Sequence, residues 1–384
     1  MKVSRHFISA CTFCLVYFSW VLFIHLCGSQ YFTLFDIDNL IKNFNAIILL
    51  FLLCYFVLTY QVNKSTLIDI LLVCVFIAGY LAFRKGVLIF FFIMMCRFIP
   101  FSLIVKTFVI ATLTGMLFVA FTYALNLYPE TYLNLYRDDG SYRYLLGYRF
   151  PTFMPNFYFH LILCWTFLRG GKINIFELIV INIINYSIYQ FTDTKAVFAL
   201  VILLSISIFF LKYLKVGFQG KFLGGIYEFF TKYAFLIFGF VAILLQYTYD
   251  PSFAWMGKLN TALSGRLSLG HWGFELYNIT LFGNLVEFVP MLEASKYNKF
   301  FYIDSAYVQL LLVHGVIIYI LFAYAFTKIG KEIVKRDDKY FAIVILFLLA
   351  HSMTDPQLLS PEFNPFLLCL GYYGLTQYRD NLFK

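Results

Sequence analysis

"KAVFALVILLSISIFFLKYLK", Lys195 to Lys215, decides what kind of protein this is. Between Lys195 and Lys212 stand only apolar residues and two serines, a run in the range of about 17 to 25 residues that crosses a hydrocarbon core about 30 Å thick. Outward from it, similar runs recur near 6–27, 44–62, 66–83, 86–100, 102–127, 154–168, 174–191, 195–211, 232–249, 304–327, 340–354 and 362–378, about twelve in all. The 384-residue chain is 62% hydrophobic, 22% aromatic and only 13% charged, whereas a soluble domain carries roughly 25% charged residues. The expected fold is therefore all-α: a polytopic membrane protein of about twelve transmembrane helices, one integral membrane domain over 1–384, with no soluble domain between spans.

The formal charge of +9 does not point to nucleic acid, because the basic residues are scattered at helix ends rather than gathered on one surface. Behind Met1-Lys2-Val3-Ser4-Arg5, the first apolar segment lacks a small-residue cleavage site and is expected to stay as an uncleaved span. All eight cysteines lie in or beside apolar segments, which argues against a disulfide framework or zinc site. The Cys11/Cys14 pair reads as helix packing. No P-loop, GxGxxG, HExxH or Ser-His-Asp pattern is present, so neither a cofactor nor a metal is expected.

Lysine and arginine accumulate in cytoplasmic loops. With the N-terminus inside, Arg169, Lys172, Lys212, Lys215, Lys221, Lys232, the cluster Lys328 to Lys339, Arg379 and Lys384 all fall inside, and both termini are cytoplasmic; Arg84 and Lys85 break the rule. Two large extracytoplasmic loops remain. Residues 128–153 hold Arg137, Arg143 and Arg149 beside Asp138 and Asp139; residues 250–303 hold Lys258, Arg266, His271, Glu275, Glu287, Glu293, Lys296 and Lys299. Arginines kept outside against the topological bias imply folded caps over a site rather than slack connectors.

Four polar stretches could carry chemistry. In "LSGRLSLGHWGFELYNITLFGN", Leu263 to Asn284, Ser264 can cap a helix with Arg266 in its first turn, followed at helical spacing by Ser268, His271 or Trp272, and Glu275. Leu281-Phe282-Gly283-Asn284 would then turn the chain back. An interfacial helix whose arginine reaches to lipid head groups explains the pattern equally well. Asp304 stands at the mouth of the next span, with Tyr307 and Gln309 below it and His314 further along; a capping role suffices for the aspartate alone. In "LLGYRFPTFMPNFYFH", Arg149, Asn156 and His160 line the entry to a proline-broken span. Asn182, Asn185, Tyr189, Asp193 and Lys195 form a polar face that interhelical hydrogen bonds would also account for.

Ser264-Gly265-Arg266 with Leu281-Phe282-Gly283, then Asp304-Ser305-x-Tyr307-x-x-Leu310-Leu311-x-x-x-Gly315, then Asn364-Pro365-Phe366-Leu367-Leu368, taken in this order, resemble the Wzy-type polysaccharide polymerases of the O-antigen ligase and polymerase superfamily. Family members commonly show a similar arginine-containing turn, an aspartate entry to the next helix and a closing Asn-Pro segment. The likeness covers the C-terminal third and, more loosely, 143–156, and it implies a GT-C-like membrane fold. It also implies a glycosyltransferase that takes an oligosaccharide from a polyprenyl diphosphate and joins it to another carrier-linked unit, needing neither sugar nucleotide nor metal.

That chemistry needs a clamp on the departing diphosphate, and arginine suits it because its planar fork binds phosphate bidentately and stays charged. Arg266 and Arg149 are the first candidates, with Arg143, Arg137 and Lys195 as helpers and Tyr307, Asn156 and Trp272 as further substrate contacts. Related ligases place a histidine where this chain has Asp304, so no histidine role carries over. Asp304, then His271 or Glu275, could act as base. A flippase and a chain-length regulator of the same pathway are possible partners. A ligase moving finished glycan to another acceptor shares the fold and clamp. A flippase of lipid-linked oligosaccharide would show repeat symmetry, and none is evident.

Overall fold

Backbone amides in hydrocarbon must pair within their own segment, so apolar stretches of this length fold as helices. The computed structural model describes residues 5–59, 70, 74, 87–127, 135–136, 142–213, 218, 223–289, 300–372 and 382–383. Its helices are α1 (Arg5–Cys27), α2 (Ile37–Thr59), α3 (Val87–Cys96), α4 (Phe101–Ala124), α5 (Phe153–Arg169), α6 (Ile175–Thr192) and α7 (Lys195–Tyr213). α8 (Leu223–Tyr247), α9 (Ala254–Ala262), α10 (Arg266–Leu276), α11 (Ala306–Lys335) and α12 (Lys339–His351) follow. The described strand residues are a two-residue antiparallel ribbon, Leu135–Tyr136 against Tyr142–Arg143.

Among the described residues, seven helices are long and apolar enough to cross a membrane: α1, α2, α4, α6, α7, α8 and α11. This is fewer than the expected twelve. α3, α5 and α12 have 10, 17 and 13 residues, the last segment holds a 3-10 helix over Pro365–Tyr372, and the expected span 66–83, apart from residues 70 and 74, lies outside the described residues. Two boundaries move for local reasons. α2 begins at Ile37 because Asp36 Oδ1 accepts from the Asn39 amide at 3.3 Å. α8 begins at Leu223, its backbone leaving helical geometry at Tyr233 (φ −120°, ψ 15°).

The chain packs as two compact units, one of residues 1–61, 91–216 and 361–384, the other of 62–90 and 217–360. In the first, α1 packs along α4 and α2. His25 of α1 fills the notch left by Gly115 of α4, where a Cβ would stand 2.6 Å from its ring. The same ring stacks on Phe157 at 3.9 Å and shares a 2.8 Å hydrogen bond with the Tyr148 hydroxyl. Backbone bonds from Gln30 N to Gly147 O (2.8 Å) and from Arg149 N to Gly28 O (2.9 Å) tie the stretch before α5 to the end of α1.

In the second unit α8 lies along α11 and α12. Phe235 stacks on Phe326 at 5.4 Å, and Tyr227 donates to Lys339 O at 2.7 Å. α11 is broken near its start. Residues Leu310–His314 form a π turn, and Gly315 takes φ 88°, ψ 169°, a conformation that is essentially glycine's alone. The break frees backbone groups, and residues 280–284 pair with them. Val316 N donates to Thr280 O (3.0 Å) and Ile317 N to Leu281 O (3.2 Å), while Leu312 O accepts from Asn284 N (3.0 Å) and Asn284 Nδ2 (2.8 Å). Leu281-Phe282-Gly283-Asn284, expected only to turn the chain back, is thus inserted into the next helix.

The insertion needs two glycines facing each other. A Cβ at Gly283 (φ 90°) would stand 2.0 Å from Val313 O, and one at Gly315 would stand 2.4 Å from Gly283 N. Gly283→Ala and Gly315→Ala are each expected to destabilise the detergent-purified protein by on the order of 3 kcal/mol. Gly225→Ala in α8, where nothing lies within 4 Å, should be neutral or slightly stabilising. Thermal unfolding of the three variants checks this, and equal melting temperatures would show the insertion to be dispensable.

Candidate active site

Short helices α9 and α10 carry Arg266 to its place. Ser264 (φ 57°) and Gly265 (φ 82°) are both left-handed, and this reverses the chain between the helices. The expected cap by Ser264 is not made. Gly265 is the cap residue, and Asn260 of α9 supplies the missing acceptor, its Oδ1 taking the Leu267 amide at 3.0 Å and the Ser268 amide at 3.1 Å. Asn260 Nδ2 donates to the Tyr249 hydroxyl and Ser268 Oγ, each at 3.2 Å. One asparagine thereby fixes the first turn in which Arg266 sits.

α10 turns its small residues inward. Gly270 and Gly273 are buried, and a Cβ at Gly273 would lie 2.9 Å from Ile303, so the helix comes close to the strand-like stretch before α11. Arg266 Nε lies 3.6 Å from Asp304 Oδ2, their side chains 22% and 25% exposed. Asp304 is not the cap of α11: Ser305 holds that position, without a capping hydrogen bond from its side chain. The aspartate faces the arginine instead.

Burial and ion pairing oppose each other at Asp304. Lost hydration favours the neutral acid and the guanidinium favours the carboxylate; burial wins, and with the Asp355 carboxylate also acting on it the group is raised to about 6. A quarter of the side chain stays accessible, so it is desolvated yet reachable. The Arg266 charge also acts on His351 at the end of α12, while Ala306 N donates to Ser352 O at 3.0 Å and Tyr307 Oη to Leu349 O at 2.9 Å. His351 and Asp355 were missed in the sequence, although "HSMTDP" was a polar interval that could have flagged them. Ser305 Oγ and Gln246 Oε1 are buried and have no hydrogen-bond partner among the described residues, a condition that costs about 1–3 kcal/mol per group.

The remaining expected residues fall in several settings. His271 Nδ1 lies 3.1 Å from both Gln246 O and Tyr247 O, so it donates to the last carbonyls of α8. Its Nε2 faces Glu275 at 3.6 Å, and that carboxylate is 62% exposed. Trp272 packs edge-on against Phe301 at 5.1 Å. Tyr307 is fully buried, its ring against Phe235. In the first unit Arg149 is half-buried, with Nε unpaired among the described residues. Arg143 donates to Thr192 O (2.7 Å) and Thr194 Oγ1 (3.1 Å), clasping the turn between α6 and α7. Asn156 is buried, and Lys195 is exposed at the start of α7. Arg137 lies outside the described residues.

Within the second unit the fold thus joins the turn at Ser264-Gly265-Arg266 to Asp304, and Gly283 to Gly315, although tens of residues separate the members of each pair. Comparison of the chain with protein-family models, with curated proteins and with solved structures finds no match in any of the three.

A raised carboxyl has a defined effect on stability. Asp304 binds its proton more tightly in the folded than in the unfolded chain, so stability is full below about pH 4 and falls as pH rises toward 6, by about 3 kcal/mol in total. Asp304→Asn is expected to match the native protein at pH 4 and to melt higher than it at pH 7.5. Thermal scans across that range check it. A variant less stable at both ends would show that the pair with Arg266 outweighs burial.

Proposed function

We propose that the protein is a glycosyltransferase of the outer face of the cytoplasmic membrane, joining polyprenyl-diphosphate-linked oligosaccharide units to one another. The supporting observation is the meeting of Arg266 and Asp304, a permanently charged guanidinium beside a carboxyl raised to about 6, in a chain whose described residues include seven helices long and apolar enough to cross a membrane. A lipid-carried anionic leaving group and a neutral hydroxyl nucleophile need that combination.

In the proposed step a hydroxyl oxygen of the acceptor sugar attacks the anomeric carbon of the donor. The new C–O bond forms as the bond to the diphosphate oxygen breaks, and the electron pair leaves with polyprenyl diphosphate. Arg266 binds the negative charge that develops on that oxygen. The hydroxyl proton passes to the Asp304 carboxylate, whose raised pKa makes it a stronger base than an ordinary aspartate. The distribution of lysine and arginine supports cytoplasmic termini.

Deletion of the gene, complemented with native, Arg266→Ala and Arg266→Lys chains, tests this by the length of surface glycan. The deletion and Arg266→Ala are expected to leave single-repeat products, and Arg266→Lys a shortened ladder, since lysine keeps the charge but not the fork. Normal long chains with Arg266→Ala would remove Arg266 from the mechanism. Untranslocated units held on the inner face would identify a flippase.

A further inference from the structure

Gln246 is the penultimate residue of α8, 2% exposed, and its Oε1 finds no hydrogen-bond partner among the described residues. Polar atoms at the apolar end of a spanning helix are seldom left so, because an unmet hydrogen bond there lowers stability. The side chain is not placed by slack packing. It lies flat on α10 at Gly270, where a Cβ would stand 1.7 Å from Oε1 and 2.5 Å from Cδ. Its own backbone carbonyl is held by His271 Nδ1 at 3.1 Å.

Gly270 is one helical turn beyond Arg266, so both lie on one face of α10. A further turn along that face, Gly273 meets Ile303, the residue before Asp304. Gln246 therefore packs against the face of α10 that also carries Arg266, one turn from it, with its amide oxygen unspent. The amide is uncharged, so it adds no grip on an anion that arginine does not already supply. A carboxamide offers an acceptor and two donors, and it can turn about its last bond to present either. That matches a sugar hydroxyl, which both gives and takes a hydrogen bond. Ser305 Oγ, next to Asp304 and equally unpaired, adds a second uncharged group.

We infer that Gln246 is a positioning residue that hydrogen-bonds a ring hydroxyl of the sugar held beside Arg266 and Asp304. This rests on the glycan-transfer reading, with Arg266 assigned to the diphosphate and Gln246 to the sugar.

The test uses Gln246→Met, which fills nearly the same volume without hydrogen-bonding groups, in purified full-length protein. The probes are polyprenyl diphosphate alone and the lipid-linked oligosaccharide pool extracted from cells lacking the gene. Gln246→Met is expected to melt at or above the native temperature and to gain the same thermal shift from polyprenyl diphosphate. It should lose the additional shift that the oligosaccharide gives the native protein, with kcat/KM for transfer down about 10- to 100-fold. Native kcat/KM together with a native sugar-dependent shift would overturn the inference. Should Gln246→Met fail to fold, Gln246→Asn, which withdraws the amide by one methylene, is read by the same two criteria. If the native protein itself neither transfers glycan nor responds to the oligosaccharide beyond polyprenyl diphosphate, the transfer reading fails and takes the inference with it. Loss of the assignment alone shows as an active native protein and an equally active variant.

Discussion

A helix broken within its first turns leaves amides and carbonyls that no neighbouring residue of the same helix can satisfy, and in a low-dielectric setting each unpaired group costs several kcal/mol. α11 is broken in this way at Gly315, and the groups freed around it are met by Thr280, Leu281 and Asn284. The rest of the second unit's polar chemistry depends on that repair. Only three residues, 277–279, separate the end of α10 from the inserted segment, so α10 is held against the start of α11. Gly273 then allows the close approach to Ile303 that brings Arg266 to Asp304, while Gly270 makes room for Gln246 of α8.

The pair so formed is tuned against its own stability. A surface pair at 3.6 Å would contribute little and leave both groups charged. Here burial makes the ionised aspartate costly, and the arginine recovers only part of that cost, so the carboxyl is raised to about 6. Such opposition of stability and ionisation is characteristic of sites that move protons. It also separates Asp304 from Glu275, which is well exposed and shares a loose pair with His271. His271 itself is committed to the end of α8 through Nδ1.

Hydropathy made the membrane helices legible, because a run such as 195–211 has no other low-energy conformation in hydrocarbon; the observed α7 begins at the same lysine. Helix ends were less legible. Spans expected to begin at 44 and 232 begin instead at Ile37 and Leu223, with Asp36 accepting from the Asn39 amide at the first and a kink at Tyr233 inside the second. The short helix bearing Arg266 was expected from its spacing, but its cap was assigned to Ser264, the nearest hydroxyl. The true partner, Asn260, reaches across from the preceding helix, which local pattern does not encode. Contacts over long sequence separation were invisible for the same reason: Gly283 and Gly315 stood in separate motifs that do not say that they meet, and Gln246 was not singled out.

The proposed transfer from a lipid diphosphate at Arg266 and Asp304 is tested most directly by its stoichiometry. Purified native protein in lipid vesicles would be given lipid-linked repeat units as sole substrate, with joined repeats and freed polyprenyl diphosphate counted together. One polyprenyl diphosphate released for every linkage formed, with no nucleotide sugar present, is the expected result. Units that cross the bilayer unchanged, or linkages formed without release of polyprenyl diphosphate, would contradict it.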